Sequence, residues 1–337
     1  MKVTLKDIAK KSGYGYGTVA RALSADPALV KDETREKILA VAKKCGYAKD
    51  LTAQALVSGK TQDIGLVVPA MFDSPYYVDF YMKTIAGIMN GLASKEFRLR
   101  VLFLREKGGF QTIAQEAKSL KLGGLIMAPY IREYFIEDKD IRKLQMPVVT
   151  LGRHVKGQNV RSIMLDDLKG GYDGAKYLVG LGHRKIGIIR GVFEDIEARY
   201  HGYRKALKDS KVKIDDDFII RGDAKEKTGF SCTLELLKKK KRPTAIFALD
   251  DEMAIGAIKA VKEMGLKCPE DVSVMGYDGI EISAYTDPAL TTVARPVVLM
   301  GESAVEMLLN KKKWREKKVL KVRANIMERS SCSRARK

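Results

Sequence analysis

Cysteine, histidine and tryptophan are scarce in this sequence: four, three and one among 337 residues. The cysteines (Cys45, Cys232, Cys268, Cys332) contain no C-x-x-C pair, and the histidines (His154, His183, His201) do not group with them. Neither a disulfide framework nor a zinc site is expected, and no cofactor is implied. Long apolar runs are also missing, none approaching the roughly 18 residues that a membrane span needs. The opening stretch "MKVTLKDIAKK" has no apolar core of the kind a secretory signal carries. A cytoplasmic protein without membrane attachment is therefore expected. No Ser/His/Asp or Cys/His set can be assembled, so an enzyme is not expected.

Acidic residues are short too, 42 against 62 basic, for a net charge of +20. The excess is uneven. Residues 1–60 hold 12 Lys and Arg against 6 Asp and Glu, and residues 311–337 hold 12 against 2. Basic ends of this kind suit nucleic acid or an anionic surface, and equally a solvated lysine-rich exterior.

What is present is a change of period along the chain. "LKDIAKKS", "TVARAL" and "REKILAVAKKC" space their apolar residues as three short helices, with Gly46 beyond the third. "LTAQALV", from Leu51, follows Asp50 as a fourth short helix ended by Gly59. From Ile64 onward, apolar runs such as "IGLVVPA", "LRVLFL", "GGLIMAP", "PVVTL", "SIMLD", "KIGIIRG", "TAIFALD" and "DVSVMGYD" alternate with helical stretches. Near-continuous apolar strands separated by helices predict an α/β architecture of doubly wound parallel sheets. Eight or more strands over about 270 residues suit two lobes facing a cleft at the strands' carboxyl ends.

The stretch "SGYGYGTVARAL", Ser12 to Leu23, offers two chemistries. A G-x-G-x-x-G phosphate loop needs glycine where Thr18 stands and a strand before it, and neither condition is met. "SGKT" at 58–61 fails as a P-loop because Gln54 occupies the first glycine position. The other chemistry is a helix-turn-helix, in which Gly13 ends one helix and the next begins near Tyr16. Arg21, one turn in, suits a bidentate contact to guanine worth about 1–3 kcal/mol. Arg21 as an ordinary exposed helix residue remains the alternative on this pattern alone.

"VTLKDIAKKSGYGYGTVARAL" resembles the start of the lactose-repressor/galactose-repressor (LacI/GalR) family of transcriptional regulators. The likeness continues through "TREKILAVAKKCGY", "LDDLKGGYDGAKYLVGLGHRKIGIIRG", "EARYHGYRKAL" and "PTAIFALDDEMAIGAIKAVKEMGLKCPEDVSVMGYDG" to "PALTTVARP" and "MERSSCS". It implies a helix-turn-helix DNA-binding domain (1–48), a hinge helix and linker (49–60), a bilobed periplasmic-binding-protein-like effector and dimerisation domain (61–330) and a basic tail (331–337). The implied partners are double-stranded operator DNA, a sugar-like effector and a second copy of the chain. The family's base readers fall on Tyr16, Gly17 and Arg21, its phosphate contact on Thr18, and its hinge pattern on Ala53 and Leu56. Effector contacts fall on Arg199, Asp250 and Asp278, with Tyr76 lining the cleft.

The head departs from the family pattern. Gly15 replaces a capping Ser, Ala20 a phosphate-contacting Ser, Tyr14 a small Val, and Lys49-Asp50 a Pro-Asn. Asp250 stands where the family usually has Asn, turning a donor-acceptor into an acceptor. A ligand-responsive repressor on a pseudo-palindromic operator is expected, with a cytosolic sugar sensor on a degenerate head as the alternative. A transport-type solute-binding protein shares the sensor fold but leaves residues 1–60 without a use.

Overall fold

The computed structural model describes residues 3–23, 30–47, 61–69, 75–105, 109–128, 136–191 and 194–336, with the side chains of 75–77 and 194–195 outside that description. In the head, Thr4 starts α1 (Leu5–Ser12) with a reciprocal capping box to Asp7, satisfying amides that a helix start leaves unpaired. Gly13 ends it at φ 74°, a conformation glycine adopts at no steric cost. The chain then enters α2 (Tyr16–Ala22) and, later, α3 (Asp32–Lys44). Ile8, Val19, Ala22, Ile38 and Ala42 close a small core among the three helices. The three helices expected here, and the glycine turn, are thus present.

Beyond the head the strands form two six-stranded sheets. The first runs β11 (Val319–Val322), β5 (Val160–Leu165), β4 (Val148–Leu151), β3 (Gly124–Met127), β1 (Asp63–Pro69), β2 (Arg98–Leu104), all parallel. The second runs β12 (Asn325–Met327), β10 (Thr291–Ala294), β9 (Ser273–Asp278), β8 (Ala245–Ala248), β6 (Ile186–Arg190), β7 (Ile219–Arg221). Strands β1, β3, β4, β8 and β9 are buried along their whole length, which is why they read as unbroken apolar runs. Helices cover both faces. Ile188 and Phe247 pack in the core that includes α7 (Asp167–Gly180) and α8 (Glu194–Asp209). Their neighbours Ile189, Ile246 and Ala248 turn toward α9 (Glu226–Leu237) and α10 (Asp251–Glu263). In the first lobe α4 (Pro75–Leu92) and α11 (Val297–Leu309) lie together on one face, α5 (Phe110–Ser119) and α6 (Asp138–Arg142) on the other.

The chain passes between lobes three times: through Asp166 from β5 to α7, through Arg295 and Pro296 from β10 to α11, and through Arg323 and Ala324 from β11 to β12. Two findings differ from the expectation. The second sheet is not wholly parallel, since β12 pairs antiparallel to β10. Residues 331–336, expected as a basic tail, are bound to the second lobe. Ser331 is fully buried, with its Oγ donating to the Val274 carbonyl at 2.6 Å, and the Ala335 amide donates to the Leu181 carbonyl at 2.9 Å. The hinge-helix positions Ala53 and Leu56 lie outside the described residues.

Glycines bring α7 and α8 into backbone contact. A Cβ at Gly171 would fall on the Arg199 carbonyl oxygen, and one at Gly202 on that of Leu168. Gly171→Ala is accordingly expected to cost about 1–3 kcal/mol, read as a lower urea midpoint. Gly180→Ala, where a Cβ meets nothing within 4 Å, serves as the control and should leave that midpoint unchanged or raised.

Candidate functional site

The α7–α8 contact puts Arg199 against the ends of the second sheet, where it is 1% exposed. A buried guanidinium needs partners for its charge and its donors. Nε donates to Asp167 Oδ1 at 2.9 Å, Nη1 to the Leu249 carbonyl at 2.6 Å, and Nη2 lies 3.1 Å from Asp278 Oδ1. Its flat face stacks 3.8 Å from the Tyr277 ring centroid, and the Tyr277 hydroxyl donates to Asp167 at 3.1 Å. Arg295, at the second crossing, approaches Asp278 at 3.6 Å. The cluster thus links the first crossing, the end of β9 and the second crossing.

Asp278 adopts φ 109°, in the region that favours glycine, and Gly279 follows at φ 71°. Strain of this kind costs on the order of 1–3 kcal/mol and persists only where surrounding contacts fix it. Asp251 supplies those contacts, accepting from the Ile280 amide at 2.9 Å and the Thr292 hydroxyl at 2.6 Å. Burial and the neighbouring Asp278 charge push the Asp251 carboxyl up to about 7, against the lowering effect of its hydrogen bonds.

Asp250 caps α10, its Oδ1 accepting from the Met253 amide at 2.7 Å. Its Oδ2 is buried and has no hydrogen-bond partner among the described residues. Burial raises this carboxyl well above the usual carboxylate range. Across the seam, Lys83 of α4 donates to the Gly279 carbonyl at 3.0 Å and pairs with Asp79 at 2.8 Å. Asp79 accepts from the Glu281 amide at 3.3 Å. The start of α4 therefore faces the 278–281 turn. Tyr76 lies in that first turn, its side chain outside the description. Arg199, Asp250 and Asp278 come together at strand ends, as a ligand cleft in such sheets requires. Asp167, Tyr277, Arg295 and Asp251 join them. The doubled acid in "LDDL" was the visible signal for Asp167, whereas nothing local marked Arg295.

On α2 of the head, Tyr16, Gly17 and Arg21 are exposed while Val19 and Ala22 are buried, and Thr18 is half-buried. Gly15 occupies the cap position without a side-chain bond. Arg21 Nε donates to the Gly17 carbonyl at 3.1 Å, laying the side chain back along the helix.

The raised Asp251 carboxyl has a pH consequence. A group whose folded pKa lies above its unfolded value stabilises fully below the unfolded value, near 3.8, and loses that contribution as pH rises through about 7. Between those limits the wild type should lose on the order of 4 kcal/mol relative to Asp251→Asn, measured by urea unfolding at several pH values.

Two family models match the chain: "Bacterial regulatory proteins, lacI family" over residues 4–50, and "Periplasmic binding protein-like domain" over residues 175–332. The chain is 32% identical over 335 residues to the HTH-type transcriptional repressor PurR of Pectobacterium carotovorum subsp. carotovorum (strain PC1), covering 97% of this chain and 96% of the relative. Among solved structures it resembles a Lac repressor dimer bound to operator and the anti-inducer ONPF, at 25% identity and TM-score 0.72, covering 99% of this chain and all of the other. It also resembles a transcriptional regulator CelR–cellobiose complex, at 25% identity and TM-score 0.69, with 98% of this chain and 100% of that one covered. With a head and a sensor both matched and the likeness running nearly end to end, the chain belongs to the lacI family of bacterial regulatory proteins.

Proposed function

We propose that the protein is a ligand-responsive transcriptional repressor acting in the cytoplasm, bound as a homodimer to a pseudo-palindromic operator and controlled by a sugar-like effector. The observation that carries this reading is the exposed face of α2, which offers Tyr16, Gly17 and Arg21 from a helix fixed by a glycine turn. In a helix-turn-helix such a face enters the major groove. Arg21 reads a base by swinging off the Gly17 carbonyl, Thr18 meets a phosphate, and Ala53 and Leu56 take the hinge role at the operator centre. The units are 1–48 for the head, 49–60 for the hinge and 61–330 for the sensor.

In the sensor, Arg199, Asp250 and Asp278 hold the effector, with Tyr76 beside them. The unpartnered Asp250 Oδ2 favours a ligand that brings a hydrogen-bonding group to it, as the hydroxyls of a sugar do. The similar structure of a transcriptional regulator CelR–cellobiose complex supports the same class. An effector acts here only through its different affinity for the two lobe arrangements.

Dimerisation is supported by an apolar patch on the first lobe. Val78, Met82 and Met89 lie along one side of α4, and Val101 and Phe103 are exposed on the edge strand β2. Contiguous apolar surface of this kind marks an interaction face. Phe103→Asp should give a monomer by sedimentation and weaken operator binding by about 100-fold or more through lost bivalency.

The head is tested by selecting bound duplexes from a random pool. A pseudo-palindrome should emerge, and Arg21→Ala should lose about 10- to 100-fold of its preference at one position per half-site. The capless Gly15 favours the second reading, a sensor on a degenerate head, and recovery of unrelated sequences would establish it.

A further inference from the structure

Because every strand of the first sheet is parallel, all six begin on one rim. That rim includes Thr61 and Asp63, the point from which the chain continues toward the head. It therefore lies on the side of the sensor tethered to DNA, on the opposite edge from the effector cleft.

The rim is strongly basic. Residues 311–318, "KKKWREKK", hold six bases and one acid, forming α12 (Lys311–Glu316) and the lead into β11. Lys311, Lys312, Arg315, Lys317 and Lys318 are exposed and make no ion pair among the described residues; Lys121, before β3, is the same. Asp63, at the start of β1 on the same rim, is neutralised twice, by Arg98 at 2.7 Å and Arg100 at 2.6 Å.

Beneath α12 sits a second cation. Arg161 is 6% exposed and has no carboxylate partner among the described residues. Its Nε donates to the Trp314 carbonyl at 2.6 Å, its Nη1 to the carbonyls of Gln158 and Val160 at 3.0 and 2.8 Å, and its guanidinium lies 4.3 Å from the Trp314 ring centroid. Carbonyls and an indole satisfy its donors without cancelling its charge. The arginine therefore both pins the basic helix to the rim and raises the potential there. A structural role alone does not require six further exposed bases around it.

We propose that this rim, centred on α12, is a second and sequence-independent DNA surface that grips phosphates flanking the operator. Six strands spaced by about 4.8 Å make a rim about 24 Å wide. That is the length of about seven base pairs of duplex, each carrying two phosphates. The inference rests on the reading of the head as the operator reader.

The test uses the full-length protein and the duplex recovered from the random pool, either trimmed to the operator or extended by about 15 base pairs of arbitrary sequence on each side. Extension should tighten wild-type binding by about tenfold or more and steepen its dependence on salt. The triple variant Lys311→Gln, Lys312→Gln, Lys317→Gln should lose that gain, with a log–log salt slope flatter by about 2 to 3, yet hold the trimmed operator as the wild type does. The matching Lys→Arg triple variant should keep the gain. An extension that gives the wild type nothing, or a glutamine variant that retains the full gain, would overturn the proposal. Failure of the repressor reading looks different, since no duplex is then enriched. In that case the same wild-type and variant salt slopes, taken on a random duplex of about 50 base pairs, decide the inference.

Discussion

A buried arginine sets the terms for the sensor. Once Arg199 is drawn out of water, its charge and its N–H groups must be met inside the protein, and the groups that meet it come from different parts of the chain. Asp167 opens the helix after the first crossing, Asp278 ends β9, Leu249 ends the segment after β8, and Arg295 beyond Asp278 belongs to the second crossing. Removing one partner leaves an uncompensated charge, a loss of about 3–5 kcal/mol, so the arrangement behaves as a unit. A ligand that engages Asp250 or Asp278 also touches the segments about which the lobes turn. On the proposed reading, the coupling of ligand to lobe angle would reside in the same side chains that hold the second lobe's strand ends together.

Glycine is used in two opposite ways. In α7 and α8 it removes side chains so that backbones touch, which places Arg199 under Tyr277. In the head it removes side chains from the exposed face of α2, the face proposed to read DNA. Gly13 is required by its positive φ, but Gly15 and Gly17 are not, and a Cβ at Gly17 meets only the Arg21 guanidinium at an ordinary 3.6 Å. Gly17 also costs about 1 kcal/mol of helix stability relative to alanine. On the proposed reading the head thus gives up stability at the exposed face of α2, leaving Tyr16 and Arg21 as the side chains there to discriminate between bases.

Much of the fold was legible because it rests on local chemistry. Strands buried on both faces read as apolar runs, and Gly13 and Gly46 mark helix ends through their backbone conformations. The short strands β7, β10 and β12 were missed, since "IIR", "TTVA" and "NIM" lack the longer apolar runs that mark β3, β4 and β8 and owe their strand state to their neighbours in the sheet. The docking of residues 331–336 was hidden as well: "SCSRARK" looks polar, and only bonding to the Val274 backbone at the start of β9 makes Ser331 a buried residue. Arg199, Asp250 and Asp278 were named through family resemblance, and the structure brings them together at strand ends. Asp251 as the tie of the strained turn, Arg295 as the second cation and Arg161 as the peg under α12 depend on partners in other elements, Ile280, Asp278 and Trp314 respectively. No local reading of the sequence could pair them.

In a ligand-responsive repressor, DNA binding and effector binding are two ends of one equilibrium, so each must change the other by the same factor. The most direct measurement is the affinity for a sugar that raises the melting temperature in a panel, taken by calorimetry with and without saturating operator duplex. The account predicts that operator changes sugar affinity by about 5- to 150-fold, and that sugar changes operator affinity by the same ratio. Equal sugar affinity in the two titrations would contradict it, leaving a DNA-binding head and a ligand-binding sensor that do not communicate.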